Sequence, residues 1–143
     1  MKYINGVKVI PYFYQSKSNN SYDTDYIYVS YIFPTFGKYK VNVIFNKTLD
    51  DMKYLFTYCS NLISIDFHET FDSSKVLCMS NMISNCDSLF YVNVSLFNVS
   101  SVEDMERMFY RCDSLTSLDL SNFETKNLRN MMGIFTESII SLK

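Results

Sequence analysis

The feature that most constrains this chain is an internal repeat with a period of about 26 residues. A position that recurs once per repeat is called a column. Cys59, Cys86 and Cys112 form one column, at intervals of 27 and 26 residues. Other apolar columns keep the same intervals: Met52, Met79, Met105 and Met131; Ile65, Val92 and Leu118; Phe71, Phe97 and Phe123. A unit this short cannot bury its apolar side alone, so the repeat predicts stacked units that share one continuous interior.

Each repeat is predicted to contain one helix and one strand. Counting from Val102, apolar residues recur at i+3, i+6, i+7 and i+10, which is typical of one face of an amphipathic helix. Residues 48–51 and 101–104 have the spacing of a helix-starting capping box, and Asn127 occupies the same cap position. After the cysteine, apolar residues alternate, as Leu118 and Leu120 do, and this predicts a short strand. Because the chain has 3 Gly and 2 Pro, Asn, Ser and Asp must form most of its bends.

We therefore predict an α/β repeat fold, namely a leucine-rich-repeat-type solenoid with a helix and a short strand in each unit and parallel stacked strands. The predicted array covers residues 38–143, with a first strand at 38–48, units at 49–75, 76–101 and 102–127, and a partial unit at 128–143. Residues 1–37 contain two segments rich in β-formers and are predicted to form a β-hairpin or sheet. Such a cap would cover apolar surface and a strand edge that the first repeat would otherwise expose.

The third unit resembles the bacterial surface protein 26-residue repeat, a branch of the BspA-like leucine-rich repeat proteins. The residues that carry the resemblance read Met105-x-x-Met108-Phe109-x-x-Cys112-x-Ser114-Leu115-x-x-Leu118-x-Leu120-Ser121-Asn122-Phe123-x-Thr125. The resemblance covers residues 49–143 and is weakest in the first unit, where Phe67-His68-Glu69 replaces the usual Leu-Ser-Asn. It implies a curved repeat domain displayed by microbes, associated with adhesion or protein binding and without enzymatic activity. A host or matrix protein is then a candidate partner.

Charge and hydropathy exclude two classes of partner. The net charge is -2, and the basic residues form no stripe that would neutralise a phosphate backbone, so we predict no nucleic-acid binding. No run approaches the roughly 20 apolar residues of a membrane span. The first residues lack the long apolar stretch of a signal peptide, and no anchor is recognisable. The location is therefore open between the cell surface, which the resemblance implies, and the cytoplasm.

The reactive residue types do not form a catalytic or metal-binding pattern. His68 is the one histidine, and no nucleophile motif accompanies it. The cysteines lack paired metal-ligand spacing, Cys78 lies outside their column, and the methionines occupy packing columns. We predict no enzyme activity, no metal and no cofactor. Disulfides within the cysteine column remain an alternative to free thiols, although three members leave at least one unpaired.

The predicted partner-binding site is the set of strand positions that point away from the core, because such residues are free to vary in a repeat array. They are Lys38, Lys40, Asn42, Ser64, Asp66, Tyr91, Asn93, Ser95, Ser117, Asp119 and Ser121. Tyr91 is the one large aromatic residue among them, and protein interfaces favour tyrosine. The alternative interpretation is a solvated face without a ligand.

These observations predict a non-enzymatic protein-binding or adhesion module that presents a concave repeat surface. The alternative is a structural repeat fragment or intracellular scaffold without a specific ligand. Such a protein would associate with itself through the open carboxy-terminal end of the array.

Overall fold

A computed structural model describes residues 2–4, 7–9, 41–42, 49–67, 69, 71–138 and 140–142. The chain forms two compact units, Met1–Lys47 and Thr48–Lys143. In the first unit, β1 (Lys2–Ile4), β2 (Val7–Val9) and β3 (Val41–Asn42) form an antiparallel sheet in the order β2-β1-β3. The rest of the predicted cap and of the predicted first strand lies outside the described residues.

The second unit contains the repeats, each of which contributes one short strand. These are β4 (Ser64–Asp66), β5 (Tyr91–Asn93), β6 (Ser117–Leu118) and β7 (Ser141–Leu142). Strands β4 and β5 pair in parallel, with Ser64 opposite Tyr91, and β6 pairs in parallel with β7. Parallel bridges also join Asp51 to Cys78, Cys78 to Asp104, and Asp104 to Asn130. Equivalent residues of successive repeats therefore lie side by side.

The predicted helices are wrong, because the residues that the structure describes contain no helix. The segments 52–59, 79–86 and 105–112 are runs of overlapping turns instead. In the second of these, the N–H of Met82 donates to the carbonyl of Met79, three residues back rather than four. Asn81 and Asn85 have φ angles of 53° and 56°. This left-handed conformation is incompatible with a right-handed helix.

Every second N–H of these turn segments donates to a carbonyl of the next repeat, and we call this arrangement the turn ladder. At the middle junction the donors Met79, Asn81, Ile83 and Asn85 pair with Asp104, Glu106, Met108 and Tyr110, at 2.8 to 3.0 Å. The first and third junctions have the same four bonds, starting from Met52 and from Met105. A buried N–H needs an acceptor, and here the neighbouring repeat supplies it in place of the helix's own backbone.

The fold is consequently not a helix-plus-strand, leucine-rich-repeat-type solenoid, and the α/β assignment is also wrong. The three-residue spacing of apolar side chains that suggested a helix is equally suited to successive turns. Of the predicted capping residues, Asp104 starts a turn, because its carboxylate accepts from the N–H of Glu106 at 2.8 Å, whereas the Ser101 hydroxyl donates to the Ser74 carbonyl of the preceding repeat at 2.9 Å. Among the described residues, there is also no helix long and apolar enough to cross a membrane.

The interior of the second unit is built from the repeat columns. Its largest fully buried side chains are Phe109, Met52, Met79, Met82, Ile83, Leu89, Met105, Met108, Leu115, Val76, Val99 and Val102. The phenylalanine column continues this core: the rings of Phe71 and Phe97 lie 5.1 Å apart, and those of Phe97 and Phe123 lie 6.4 Å apart. Full burial contributes about 1.5 to 3 kcal/mol for each large apolar side chain, so column packing dominates the stability of this unit.

Asx turns form the bends of the second unit, as the scarcity of glycine predicts. The side chains of Asp72, Asn98 and Asp119 each accept a hydrogen bond from the N–H two residues further on, at 2.9 to 3.1 Å. Such a side-chain bond mimics a backbone turn and replaces the conformational freedom of glycine.

Candidate functional site

The strand face consists of the outward side chains of β4, β5 and β6 and of the residues that follow β5 and β6. Most of the predicted site residues here are exposed: Ser64, Asp66, Tyr91, Ser95, Ser117, Asp119 and Ser121. Asn93 is half-buried. Asn42 lies in β3, in the other compact unit, and Lys38 and Lys40 lie outside the described residues.

A groove on the strand face brings six of the predicted residues together. It runs between β5 and β6, where strand pairing is interrupted. Its predicted lining residues are Tyr91, Asn93, Ser95, Ser117, Asp119 and Ser121. Asn122 also lines the groove, and its amide nitrogen donates to the carbonyls of Ser95 and Phe97 at 3.2 and 3.1 Å. This side chain joins two repeats where the strands do not.

Hydrogen bonds hold several of the polar groups in this groove. The Asn93 amide nitrogen donates to the Asp66 carboxylate at 3.1 Å, and its oxygen accepts from the N–H of Ser95 at 3.1 Å. Asp119 in turn accepts from the N–H of Ser121 at 3.0 Å. Asn93 and Asp119 therefore shape the groove and are not simply variable surface residues.

An exposed apolar patch lies at the amino-terminal end of the strand face. Ile63, Phe90 and Tyr91 are 50%, 66% and 49% exposed. The N–H of Phe90 donates to the carbonyl of Ile63 at 2.8 Å, so the two residues occupy adjacent repeats side by side. Sequence reasoning missed Ile63 and Phe90 because their column continues with Thr116 and is not uniformly apolar. The signal that could have revealed this column is its position one residue before each predicted strand.

A second surface, the turn face, is formed by two columns with positive φ and by Tyr110. The two columns are four residues apart and contain Tyr54 and Tyr58, Asn81 and Asn85, Arg107 and Arg111, and Gly133 and Glu137. Three of the four repeats thus have the same residue type in both columns. This matched pairing is visible in the sequence. It was overlooked because the predicted helix gave these positions no special conformation.

Two ion pairs hold the arginines of the turn face. A terminal nitrogen of Arg107 lies 3.3 Å from the Glu106 carboxylate, and Nε of Arg111 lies 3.5 Å from that of Glu137. The Tyr110 hydroxyl donates to Glu137 at 3.0 Å, and this bond is the main reason why the pKa of Tyr110 is raised. The arginines border a cavity of about 400 Å³ lined by Tyr58, Asn81, Asn85, Arg107, Tyr110 and Arg111.

The four cysteines are free thiols. Cys86 and Cys112 are buried, and their Sγ atoms donate to the carbonyls of Phe56 and Ile83 at 3.1 and 3.2 Å. Burial is the main cause that raises the pKa of both thiols to about 12. A thiol with so high a pKa is a poor nucleophile at neutral pH, so these two residues act in packing. Within the described part of the chain, there is no cluster of three or more His, Cys, Asp or Glu residues that could hold a metal ion.

Comparison with known proteins identifies one family. Residues 36–140 match the model of a family described as "Mycoplasma protein of unknown function, DUF285", and the chain belongs to this family. No curated protein and no solved structure matches the chain.

Proposed function

We propose that this member of the DUF285 family is a non-enzymatic protein-binding module that contacts its partner through the strand face. The observation that carries this proposal is the exposure of Tyr91, which lines the polar groove, together with that of Ile63 and Phe90, one residue before β4 and β5. An exposed apolar patch with a polar rim is characteristic of a protein interaction site.

The chemistry of the strand face is also suited to a protein partner. Aromatic side chains at the centre of an interface contribute large contact area, and tyrosine is among the residues most often found at energetic hot spots. The serines and the Asp119 carboxylate of the groove can exchange hydrogen bonds with a partner's backbone around that centre. The resemblance of residues 105–125 to bacterial surface protein repeats supports the same function, and adhesion is the form of binding that it suggests.

The proposal can be tested by site-specific crosslinking in an extract of the native source. A photo-reactive phenylalanine analogue replaces Tyr91 in one sample and Leu77 in the other. Leu77 is a matched control because it is 52% exposed and does not line the groove. We expect one discrete protein to crosslink at position 91 and not at position 77.

The affinity of the crosslinked protein then decides the role of the apolar patch. The double variant Phe90→Ser, Tyr91→Ser should weaken binding by at least tenfold, which corresponds to about 1.4 kcal/mol. Leu77→Ser should leave the affinity unchanged. Equal crosslinking at both positions, or full affinity of the double variant, would contradict the proposal.

A further inference from the structure

The cavity on the turn face has a lining made entirely of groups that can donate hydrogen bonds. Arg107 and Arg111 contribute guanidinium groups, Asn81 and Asn85 contribute amides, and Tyr58 contributes a hydroxyl, whereas the hydroxyl of Tyr110 donates to Glu137. No carboxylate lines the cavity, although the chain as a whole has a net charge of -2. The lining is therefore rich in hydrogen-bond donors and contains two cations, each of which is paired with a glutamate outside the lining.

The ion pairs of the two arginines leave most of this donor capacity available. Glu106 contacts one terminal nitrogen of Arg107, and Glu137 contacts only Nε of Arg111. A guanidinium group has five N–H donors in a planar fork, so each arginine keeps several for a ligand. The two glutamates lie outside the lining, and they restrict where the guanidinium groups point. Planar guanidinium groups bind carboxylates in bidentate fashion, which adds both energy and specificity.

The backbone supplies a separate argument. Tyr58, Arg107 and Arg111 have φ angles of 60°, 52° and 52°, a conformation that costs a residue with a Cβ more than it costs glycine. Glycine occupies the column of Arg107 at Gly133, with φ 65°, whereas the column of Tyr58 and Arg111 ends with Glu137. Large exposed side chains therefore stand at positions whose backbone conformation favours glycine. Such strain is commonly concentrated at binding sites.

We propose that the turn face is a second binding surface, which takes an acidic segment of a protein partner with its carboxylates on Arg107 and Arg111. Tyrosine and arginine together are the residue types most enriched at interface hot spots. Tyr58, which is 76% exposed, supplies an aromatic surface beside the cations. This surface is distinct from the strand face, and neither proposal depends on the other.

The test is a titration of the 15N-labelled full chain, followed by NMR. The probes are the peptide acetyl-(Glu)4-amide, its glutamine counterpart acetyl-(Gln)4-amide, and inorganic phosphate. We expect the glutamate peptide to shift the Arg107 and Arg111 signals saturably, and 1 M NaCl to abolish the shift, because the Debye length is then only about 3 Å. The glutamine peptide should produce no saturable shift.

Variants separate this site from general charge attraction. The double variant Arg107→Gln, Arg111→Gln should bind the glutamate peptide at least tenfold more weakly. Arg129→Gln is the matched control, since Arg129 is exposed, pairs with Glu103 at 3.2 Å and does not line the cavity. This variant should bind the glutamate peptide normally. The double variant Phe90→Ser, Tyr91→Ser should also bind the glutamate peptide normally, because its substitutions lie on the strand face. Equal response to both peptides, unchanged binding by the arginine double variant, or a response to phosphate alone would overturn the proposal.

Discussion

At the scale of single residues, the cysteine column shows how one side chain joins two repeats. Each buried thiol fills space in the core and donates to a carbonyl in the repeat before it. The sequence predicted packing for this column, and the structure shows it for Cys86 and Cys112 but not for Cys59, which is exposed. It did not indicate the S–H hydrogen bonds, since the acceptors lie 29 and 30 residues away along the chain.

These thiols should make the fold sensitive to alkaline pH. Their folded-state pKa, about 12, lies above the ordinary value of 9.0, so the folded state binds more protons between the two values. The stability that they contribute is therefore fully present below pH 9.0 and is lost as the pH rises through about 12. We expect the free energy of unfolding in urea to fall between pH 8 and pH 11.

The double variant Cys86→Ala, Cys112→Ala provides the control for that measurement. It should be less stable at pH 8 but should show a smaller fall towards pH 11, because the two thiols whose pKa is raised by burial are absent. Parallel pH profiles of the two proteins would show that the thiols do not cause the effect.

Among the residues of the candidate site, sequence reasoning located the strand face better than the turn face. Tyr91 and Ser117 were identified because alternation along a strand shows directly which side chains point outward. Arg107 and Arg111 were missed because their importance depends on a left-handed backbone conformation. Arginine does not indicate that conformation, whereas glycine or asparagine would.

At the scale of elements, the columns could be predicted from the sequence and the backbone conformation between them could not. Residues 105–112 have apolar side chains at positions that suit either a helix or overlapping turns. The choice depends on where the amide groups find acceptors, and the acceptors lie in another repeat. A helix of this length has little stability on its own, so the backbone bonds of the turn ladder decide the outcome.

Members of the methionine column differ in burial along the stack, so the stability effects of equivalent substitutions can be compared. Met79 is fully buried, whereas Met131, at the equivalent position of the fourth repeat, is 56% exposed. We expect Met79→Ala to lower the free energy of unfolding by about 2 to 5 kcal/mol through lost burial and a residual cavity. Met131→Ala should cost less than about 1 kcal/mol. Chemical denaturation of the two variants would measure the difference, and equal losses would contradict the assigned burial.

At the scale of the whole molecule, apolar side chains are exposed at the fourth repeat. Met131, Met132 and Leu142 are 56%, 61% and 51% exposed, although Met105 and Leu118, one repeat earlier, are almost completely buried. These are the side chains that a second copy would cover under the alternative prediction of self-association.

Self-association should therefore depend on these methionines. We expect light scattering of the full chain to show an average mass that rises with protein concentration. Met131→Lys, Met132→Lys should reduce that rise, whereas the exposed substitution Lys126→Ala should not. A strictly monomeric protein at every concentration would count against self-association.

The peptide groups of the turn ladder all share one direction. At each of its three junctions, all four ladder N–H groups point from the lower-numbered repeat to the higher-numbered one. Their peptide dipoles therefore add, as they do along a helix axis, but with the positive pole towards the carboxy-terminal repeat. A further repeat can extend this ladder only in the same orientation. In a reversed repeat, N–H groups would face N–H groups and no hydrogen bond would form. The direction in which a repeat can extend the ladder thus resides in the main chain and would survive extensive change of the surface side chains.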